Sequence, residues 1–209
     1  MANKNTGLGK GLSALLGDDF SINTPQAPST LPISQVESYA GQPRKNFDQE
    51  KLEELAESIR QHGIIQPLTV RKLSSGYYQI IAGERRWRAA RLAGLTEVPA
   101  VIIEADDRKA MELAMIENLQ REDLNPMEEA AGFQSLMETY HMTQEEAASR
   151  VGKSRSAVAN ALRLLSLTPP VAKLVEEGKL SAGHARALLP LSPALQENAA
   201  GAVISGGLS

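Results

Sequence analysis

Residues 143–165 read TQEEAASRVGKSRSAVANALRLL, and this stretch decides the fold of the C-terminal half of the chain. Thr143 and Glu146 have the spacing of a capping box, which predicts a short helix that ends at Gly152. Ser154 is a favourable cap for a second short helix directly after the turn. Two short helices joined by a tight turn with glycine are typical of a helix-turn-helix.

The second helix of this motif would enter the major groove of DNA with its N-terminus first. Val158, Leu162 and Leu165 are predicted to face inward. The expected contacts with base edges or phosphates are Thr143, Gln144, Lys153, Ser154, Arg155, Ser156, Asn160 and Arg163. The alternative is an ordinary α-hairpin with a capped turn. DNA binding is favoured because residues 150–186 contain seven Lys and Arg against two Glu, although the whole chain has a formal net charge of −3.

The composition limits the other classes of function. A chain of 209 residues has room for one large or two modest domains. The absence of cysteine excludes disulfides, thiolate metal sites and cysteine nucleophiles. The three histidines are far apart, and no apolar run is long enough to span a bilayer. With no secretory signal, a cytoplasmic protein without membrane contact is expected.

The N-terminal half predicts a small mixed α/β domain, so the expected fold class is α+β with an all-α domain following. Residues 31–104 show a helix from Asp48 to Gly63, a β-hairpin over 68–82, a helix over 83–93 and a strand from Val98. Pro99 predicts that the start of this strand lies near a sheet edge. The predicted domains are 1–30 as a flexible tail, 31–124, and 125–209.

The region after residue 104 is predicted to be helical, beginning with one helix over 107–121. Asn125, Pro126 and Glu128 predict the start of the next helix, and Thr168-Pro-Pro a later break. The last residues, from Gly201, show neither a convincing cap nor a finished element. We therefore expect that the chain is cut short.

Two further segments bear on function. Residues 83–91 read GERRWRAAR directly after a strand, which places free N–H groups and arginines at a helix start where phosphate binds well. In ENLQR, residues 117–121, Arg121 would converge with Glu117 and Asn118 on one helix face, and these oxygens suit Mg²⁺. The alternative is a set of solvated arginines and an ordinary surface ion pair.

The tail contains one helical stripe of leucines, formed by Leu8, Leu12, Leu15 and Leu16. A helix this short is marginal alone, so we interpret it as a peptide that folds on a partner, with Lys10 beside it. The alternative is a helix that packs on its own protein.

Six segments resemble, in order, those of the ParB family of bacterial chromosome-partitioning proteins. They are LGKGLSALLG (8–17), QPRKN (42–46), GIIQP (63–67), GERRWRA (83–89), ENLQR (117–121) and GHARAL (183–188). The resemblance covers nearly the whole chain, and its specificity comes from the conjunction of all six. It implies a ParB/sulfiredoxin-like N-terminal domain that binds CTP (or CDP), followed by the helix-turn-helix domain.

The resemblance implies a role for each segment. The helix-turn-helix would bind palindromic parS centromere DNA, with Gly183, His184 and Arg186 as auxiliary contacts. CTP would be bound with Mg²⁺ held by Glu117 and Asn118, and Gln42 and Glu84 would support slow hydrolysis. The residues implied to face the nucleotide are Gln42, Arg44, Gly83, Glu84, Arg85, Arg86, Arg88, Asn118 and Arg121. The leucine peptide would bind a ParA-type ATPase, with Lys10 as a candidate trigger of ATP hydrolysis.

The implied mechanism is a switch in a nucleoid-associated homodimer. DNA loading and CTP would favour a closed clamp that slides and spreads along DNA. Family members usually end in a separate dimerisation domain, which does not appear before Ser209. Either the chain is a piece of a longer protein, which we favour, or it dimerises otherwise. The second hypothesis is a nucleoid-occlusion-like or plasmid regulatory protein of the same fold. A sulfiredoxin-type enzyme is excluded because it needs a cysteine.

Overall fold

The fold is described from a computed structural model, which covers residues 28–38, 48–121 and 123–207. Within these residues the chain forms two compact units, one ending at Met115 and the other beginning at Ile116. The first unit is mixed α/β and the second is helical, which confirms the predicted fold class.

The first unit is built on a five-stranded mixed sheet with the order β1-β5-β3-β4-β2. Its strands are β1 Ser29–Pro32, β2 Val36–Glu37, β3 Leu68–Lys72, β4 Tyr78–Ala82 and β5 Glu97–Ile103. The antiparallel pair β3 and β4 confirms the predicted hairpin, whereas β5 is parallel to β3. β1 begins at Ser29, inside the stretch that the sequence predicted as a flexible tail.

Pro99 lies in β5, which is not itself an edge strand but is the neighbour of the edge strand β1. β5 has β1 on one side, where Pro99 is opposite Thr30, and β3 on the other. The register between β5 and β3 begins only at Ala100, opposite Leu68. Because that ladder starts one residue later, the missing N–H of Pro99 removes no bond to β3.

Two helices share one core with the strands and pack on each other, α1 Gln49–His62 and α2 Glu84–Leu92. α1 begins at the predicted cap, where the Asp48 side chain accepts the N–H groups of Glu50 and Lys51. The buried core residues from these helices and the sheet include Leu52, Ala56, Ile59, Val70, Ile80, Trp87, Ala89, Ala90 and Val98. This packing fixes the first turn of α2 against the end of β4.

A buried arginine ties the sheet to the third helix, α3 Asp107–Leu119. Arg71 on β3 is 5% exposed, and its Nε and Nη2 donate to Gln79 Oε1 over 2.9 and 2.6 Å. Its Nη1 donates to the Ala105 carbonyl oxygen over 3.3 Å, and the guanidinium is ion-paired with Asp107. The start of α3 is therefore anchored to β3 and β4.

The second unit is helical throughout its regular structure. Its helices are α4 Pro126–Tyr140, α5 Gln144–Val151, α6 Arg155–Arg163, α7 Pro169–Glu176, α8 Ala182–Leu188 and α9 Pro193–Gly206. α4 begins with the predicted capping box of Asn125 and Glu128 and packs against α5 and α6. Of the helices in the described ranges, none has both the length and the apolar character needed to cross a membrane.

The buried face of α6 differs from the prediction by one residue at its end. Val158 is buried as predicted, but Leu162 and Leu165 are only half-buried, while Ala161 and Leu164 are buried. α6 is followed by a 3-10 turn at Leu164–Ser166. The buried residues Val158, Ala161 and Leu164 follow steps of three, whereas the prediction took a step of four to Leu162; both spacings lie on one face of a helix.

The prediction that the last residues form no finished element was wrong. α9 runs from Pro193 to Gly206 and ends at Gly207, whose φ is +56°. It shares a core with α7 and α8, in which Ala200 is fully buried. The apolar pattern was missed because glycine and alanine occupy much of this helix, and they carry little periodic signal.

Candidate functional site

Gly83 joins β4 to α2 in a backbone conformation that suits glycine. Its φ is +99°, in the left-handed region, and α2 begins at the next residue. A Cβ at this position would lie 2.8 Å from Leu68 Cδ2 and 3.1 Å from Arg86 Nη2. The glycine therefore allows both the sharp strand-to-helix turn and the close approach of the arginine that follows it.

Arg86 holds the loop that precedes β3. Its Nη1 donates to the carbonyl oxygens of Gln66 and Pro67, over 2.5 and 2.7 Å. These two residues end the GIIQP segment, so two of the motif segments are joined by one side chain. Arg86 shapes the junction in this structure, and its predicted contact with a phosphate stays a prediction.

Glu84 is a buried carboxylate with only one oxygen partnered in the described part of the chain. Its side chain is 7% exposed, and Oε1 accepts Arg88 Nε over 2.8 Å. Oε2 is buried and has no hydrogen-bond partner among the described residues. A buried polar atom without a partner is costly. Because Glu84 Oε2 lies at the start of α2, this unpartnered oxygen fits a site where a bound ligand supplies the missing partner.

Arg85 is the cation of this junction that stays available. It is half-buried and makes no hydrogen bond or ion pair with any residue in the described ranges. At the start of α2 its guanidinium adds to the partial positive charge of the helix N-terminus. The residues predicted to face the phosphates therefore lie at the N-cap and among the first five residues of α2: Gly83, Glu84, Arg85, Arg86 and Arg88.

The ENLQR segment spans the end of α3. The helix ends at Leu119, so the prediction that it runs to residue 121 was two residues too long. Arg121 Nη1 donates to Asn118 Oδ1 over 3.1 Å, and its Nε and Nη2 donate to the Asp123 carboxylate over 3.0 and 2.7 Å. The predicted convergence of Asn118 and Arg121 is therefore observed. Glu117 is half-buried on the same last turn.

The donors at this helix end fit Mg²⁺ bound together with phosphate oxygens. Glu117 offers a carboxylate and Asn118 an amide oxygen, and Mg²⁺ commonly takes one or two protein oxygens plus phosphate and water. Across the described ranges, no three His, Asp or Glu side chains gather into a metal site. The two residues lie in the second unit and the α2 junction lies in the first.

The helix-turn-helix has the capping chemistry that the sequence predicts. The Thr143 hydroxyl accepts the Glu146 N–H over 3.2 Å, and Glu146 Oε2 accepts the Thr143 N–H over 2.7 Å. The Thr143 hydroxyl also donates to Glu146 Oε2, over 2.8 Å, and the two bonds that this carboxylate accepts, first from the backbone N–H and then from the hydroxyl, lower the pKa of Glu146. Gly152, with φ +75°, ends α5, and Ser154 Oγ accepts the Ala157 N–H over 3.1 Å at the start of α6.

Most of the predicted DNA contacts lie at the surface of this motif. The exposed residues are Thr143, Lys153, Ser154, Arg155, Ser156 and Arg163, while Gln144 and Asn160 are half-buried. Arg155 and Arg163 have no hydrogen-bonding or ionic partner in the part of the chain that is described. Lys153 is instead ion-paired with Glu129 on α4.

The predicted auxiliary contacts lie on α8, in the same unit as the helix-turn-helix. His184 Nδ1 is 3.0 Å from Ser181 Oγ, and its backbone N–H donates to the same oxygen over 3.2 Å. Gly183 is exposed, and Arg186 is half-buried. The predicted residues Leu8, Lys10, Leu12, Leu15, Leu16, Gln42 and Arg44 lie outside the described residues.

Sequence reasoning missed how the end of α3 attaches to the helix-turn-helix. Leu119 is buried against Gly132 on α4, and Gln120 Nε2 donates to the Val151 carbonyl oxygen over 3.3 Å. One signal was present, because a glycine inside a helix often marks a close approach of another residue. Gly132 is such a glycine. Nothing local predicts the partner of Gln120, which is 31 residues away.

Two sequence families match the chain, and together they span most of it. The family described as the ParB N-terminal domain matches residues 21–119. The family described as the ParB HTH domain matches residues 122–209. The order of the families is that of the mixed α/β unit and the helical unit.

Whole proteins and a solved structure agree with these matches. The chromosome-partitioning protein Spo0J of Thermus thermophilus is 54% identical over 193 residues, which are 92% of this chain and 69% of the relative. The chromosome-partitioning protein ParB of Myxococcus xanthus is 52% identical over 198 residues, 90% of this chain and 67% of the relative. A C-terminally truncated ParB from Caulobacter crescentus, crystallised with the centromeric parS site, matches with a TM-score of 0.77 and 45% identity. That match covers 87% of this chain and 94% of that chain.

The fold and the capped turn define a two-unit protein in which a mixed α/β unit precedes a helix-turn-helix unit. The chain belongs to the ParB family of chromosome-partitioning proteins.

Proposed function

We propose that this chain is a chromosome-partitioning protein that binds a palindromic parS-type DNA site through α5 and α6. The observation that carries the proposal is Arg155, an exposed cation at the first position of α6 that has no partner in the described ranges. An arginine there is placed to reach base edges when the helix enters the major groove N-terminus first. The similarity to the Caulobacter crescentus structure, whose protein binds parS, supports it.

Replacing Arg155 tests the DNA proposal. Arg155→Ala should weaken binding to a parS duplex about 5- to 150-fold, as expected for the loss of about 1–3 kcal/mol from a bidentate base contact. The measurement is fluorescence anisotropy at fixed, moderate salt, with a scrambled duplex alongside. Lys72→Ala is the matched control, because it removes one exposed positive charge from β3 in the other unit. Equal binding by wild type and Arg155→Ala would remove Arg155 from the reading surface.

The second part of the proposal is that the α2 junction and the end of α3 bind CTP with Mg²⁺. Arg85 and the α2 N-terminus would bind phosphate oxygens, and Glu117 and Asn118 would hold the metal. Bound Mg²⁺ would neutralise charge on the phosphates. Gln42 and Glu84 would support slow hydrolysis, and nucleotide binding would favour one state of a DNA clamp. The orphan Oε2 of Glu84, which has no partner among the described residues, supports a ligand at this junction.

Arg85 is a cleaner test of the nucleotide site than Arg86, because Arg86 also holds the Gln66 and Pro67 carbonyls. Arg85→Ala should abolish measurable CTP binding in calorimetry with Mg²⁺ while the circular dichroism spectrum stays unchanged. Arg91→Ala removes the same side chain from the other end of α2 and should bind CTP like the wild type. The same titration of the wild type with ATP, GTP and UTP measures its preference for the base. Equal CTP binding by Arg85→Ala and wild type would refute the site assignment.

The remaining parts of the proposal follow from membership of the family. The segment 8–17, with Lys10, would bind a ParA-type ATPase, and two copies of the chain would form the clamp on the nucleoid. The second candidate is a nucleoid-occlusion-like or plasmid regulatory protein. The two differ in the DNA site that α6 selects, so the duplex preferred by the wild type in the anisotropy experiment distinguishes them.

A further inference from the structure

The segment that follows the last turn of α3 is fastened to the turn of the helix-turn-helix by Gln120. Its Nε2 donates to the carbonyl oxygen of Val151 over 3.3 Å. Val151 is the last residue of α5, and the final carbonyls of a helix have no partner within the helix. Gln120 therefore satisfies the C-terminus of α5 from outside, immediately before the turn that leads to Ser154.

A second contact fastens the same segment to α4. Leu119 is 2% exposed, and a Cβ on Gly132 would lie 2.6 Å from Leu119 Cδ2 and 3.2 Å from its Cγ. Glycine inside a helix has a lower helix propensity than alanine, but an alanine Cβ at position 132 would overlap Leu119. Leu119 thus packs directly on the α4 backbone, and the end of α3 is attached to both helices that precede α6.

The two fastening residues stand directly beside the candidate metal ligands. Glu117 and Asn118 precede Leu119 and Gln120 in the chain, and Arg121 donates to Asn118 Oδ1 over 3.1 Å. A close-packed leucine and a hydrogen bond to a helix end allow little independent movement. If the last turn of α3 shifts to bind a metal and phosphates, either these contacts break or the turn at Val151 shifts as well.

We propose that Leu119 and Gln120 are positioning residues that couple nucleotide binding at Glu117 and Asn118 to the DNA-binding turn that begins at Val151. The inference rests on the proposed function, since it requires both CTP and DNA to bind. Neither residue touches either ligand in this scheme. They act by making the end of α3 and the end of α5 move together.

The test measures coupling and not affinity alone. The Kd of CTP with Mg²⁺ is measured by calorimetry with and without a short, open-ended parS duplex, and the Kd of the duplex with and without CTP. By linkage, the two ratios must agree, and allosteric coupling factors are typically about 5- to 150-fold. In Gln120→Ala this Kd ratio should be at least about fivefold closer to one than it is in the wild type. The Kd of each ligand alone should stay within about twofold of the wild-type value.

Matched variants separate coupling from simple stability. Gln134→Ala removes the same amide from the exposed face of α4, where it bonds only Glu138 in the described part of the chain, and should keep the wild-type ratio. Leu119→Ala removes the second contact and provides an independent variant if Gln120→Ala folds poorly. A purely structural role would lower the melting temperature and weaken DNA binding equally with and without CTP.

Three outcomes would overturn the inference. One is a coupling ratio in Gln120→Ala and Leu119→Ala equal to that of the wild type. Another is a wild-type ratio of one although both ligands bind. Both leave the proposed function standing. The absence of CTP binding by the wild type would overturn the nucleotide part of the proposed function and the inference with it.

Discussion

Position 83 needs glycine for two reasons: its backbone is left-handed, and the Arg86 side chain packs closely against it. Gly83→Ala should lower the free energy of unfolding by about 1–3 kcal/mol, because a non-glycine residue is strained at φ +99°. Its Cβ would also displace Leu68 and Arg86. The measurement is urea denaturation followed by far-UV circular dichroism.

Gly76→Ala is the control for the backbone effect. Gly76 has φ +87°, but a methyl group added there would meet nothing within 4 Å among the described residues, so the two variants share only the strain. Gly83→Ala should therefore lose more stability than Gly76→Ala. Equal losses of unfolding free energy in the two variants would contradict a contribution from the close approach of Arg86. CTP binding should be weakened only in Gly83→Ala.

At the scale of elements, the capping box of α5 predicts a dependence of stability on pH. The folded-state pKa of Glu146 is lowered, chiefly by the bond from the Thr143 N–H and then by the Thr143 hydroxyl. A lowered pKa contributes stability above the ordinary glutamate pKa of about 4.3, and this is lost as the pH falls through the folded-state value. Glu146→Gln keeps an acceptor oxygen but not the charge.

At about pH 6, Glu146→Gln should have a lower melting temperature than the wild type. The difference between the two melting temperatures should become smaller as the pH falls. Differential scanning calorimetry from about pH 6 to about pH 3 measures it. Glu145→Gln removes a carboxylate from the same turn outside the capping box and should show a smaller gap. If the difference in melting temperature between Glu146→Gln and the wild type stayed constant over this pH range, the charge of Glu146 would not be its source.

Elements set by local chemistry were predicted well, and elements set by distant partners were not. The caps at Asp48, Asn125, Thr143 and Ser154 depend on residues within four positions, and all four are present. The position of Pro99 in the sheet depends on β1 and β3, which pattern alone does not reveal.

At the scale of the whole molecule, the same division between near and far applies to the candidate site. The bond from Arg121 to Asn118 joins residues only three positions apart and was predicted, although Arg121 lies two residues beyond the end of α3. The bond from Arg86 to Gln66 spans 20 residues and was not predicted. The boundary between the compact units falls between Met115 and Ile116, within α3. The domain boundary expected at residues 124 and 125 stays a prediction.

The position of that boundary gives α3 a part in both units. Arg71 anchors its first residue, Asp107, to the sheet, while Leu119 and Gln120 attach its other end to α4 and α5. The proposed coupling involves only the last turn of α3 and the residue after it, because Glu117, Asn118, Leu119 and Gln120 are consecutive.

Trp87 is an intrinsic fluorescence probe close to the start of α2. It is the single tryptophan of the chain, it lies on α2 three residues after Glu84, and Arg91 lies over its ring at 5.0 Å from the centroid. Indole emission responds to nearby charge and to the polarity around the ring. Events at the start of α2 can therefore be followed by intrinsic fluorescence in rapid mixing, without a dye and without tryptophan background from the second unit.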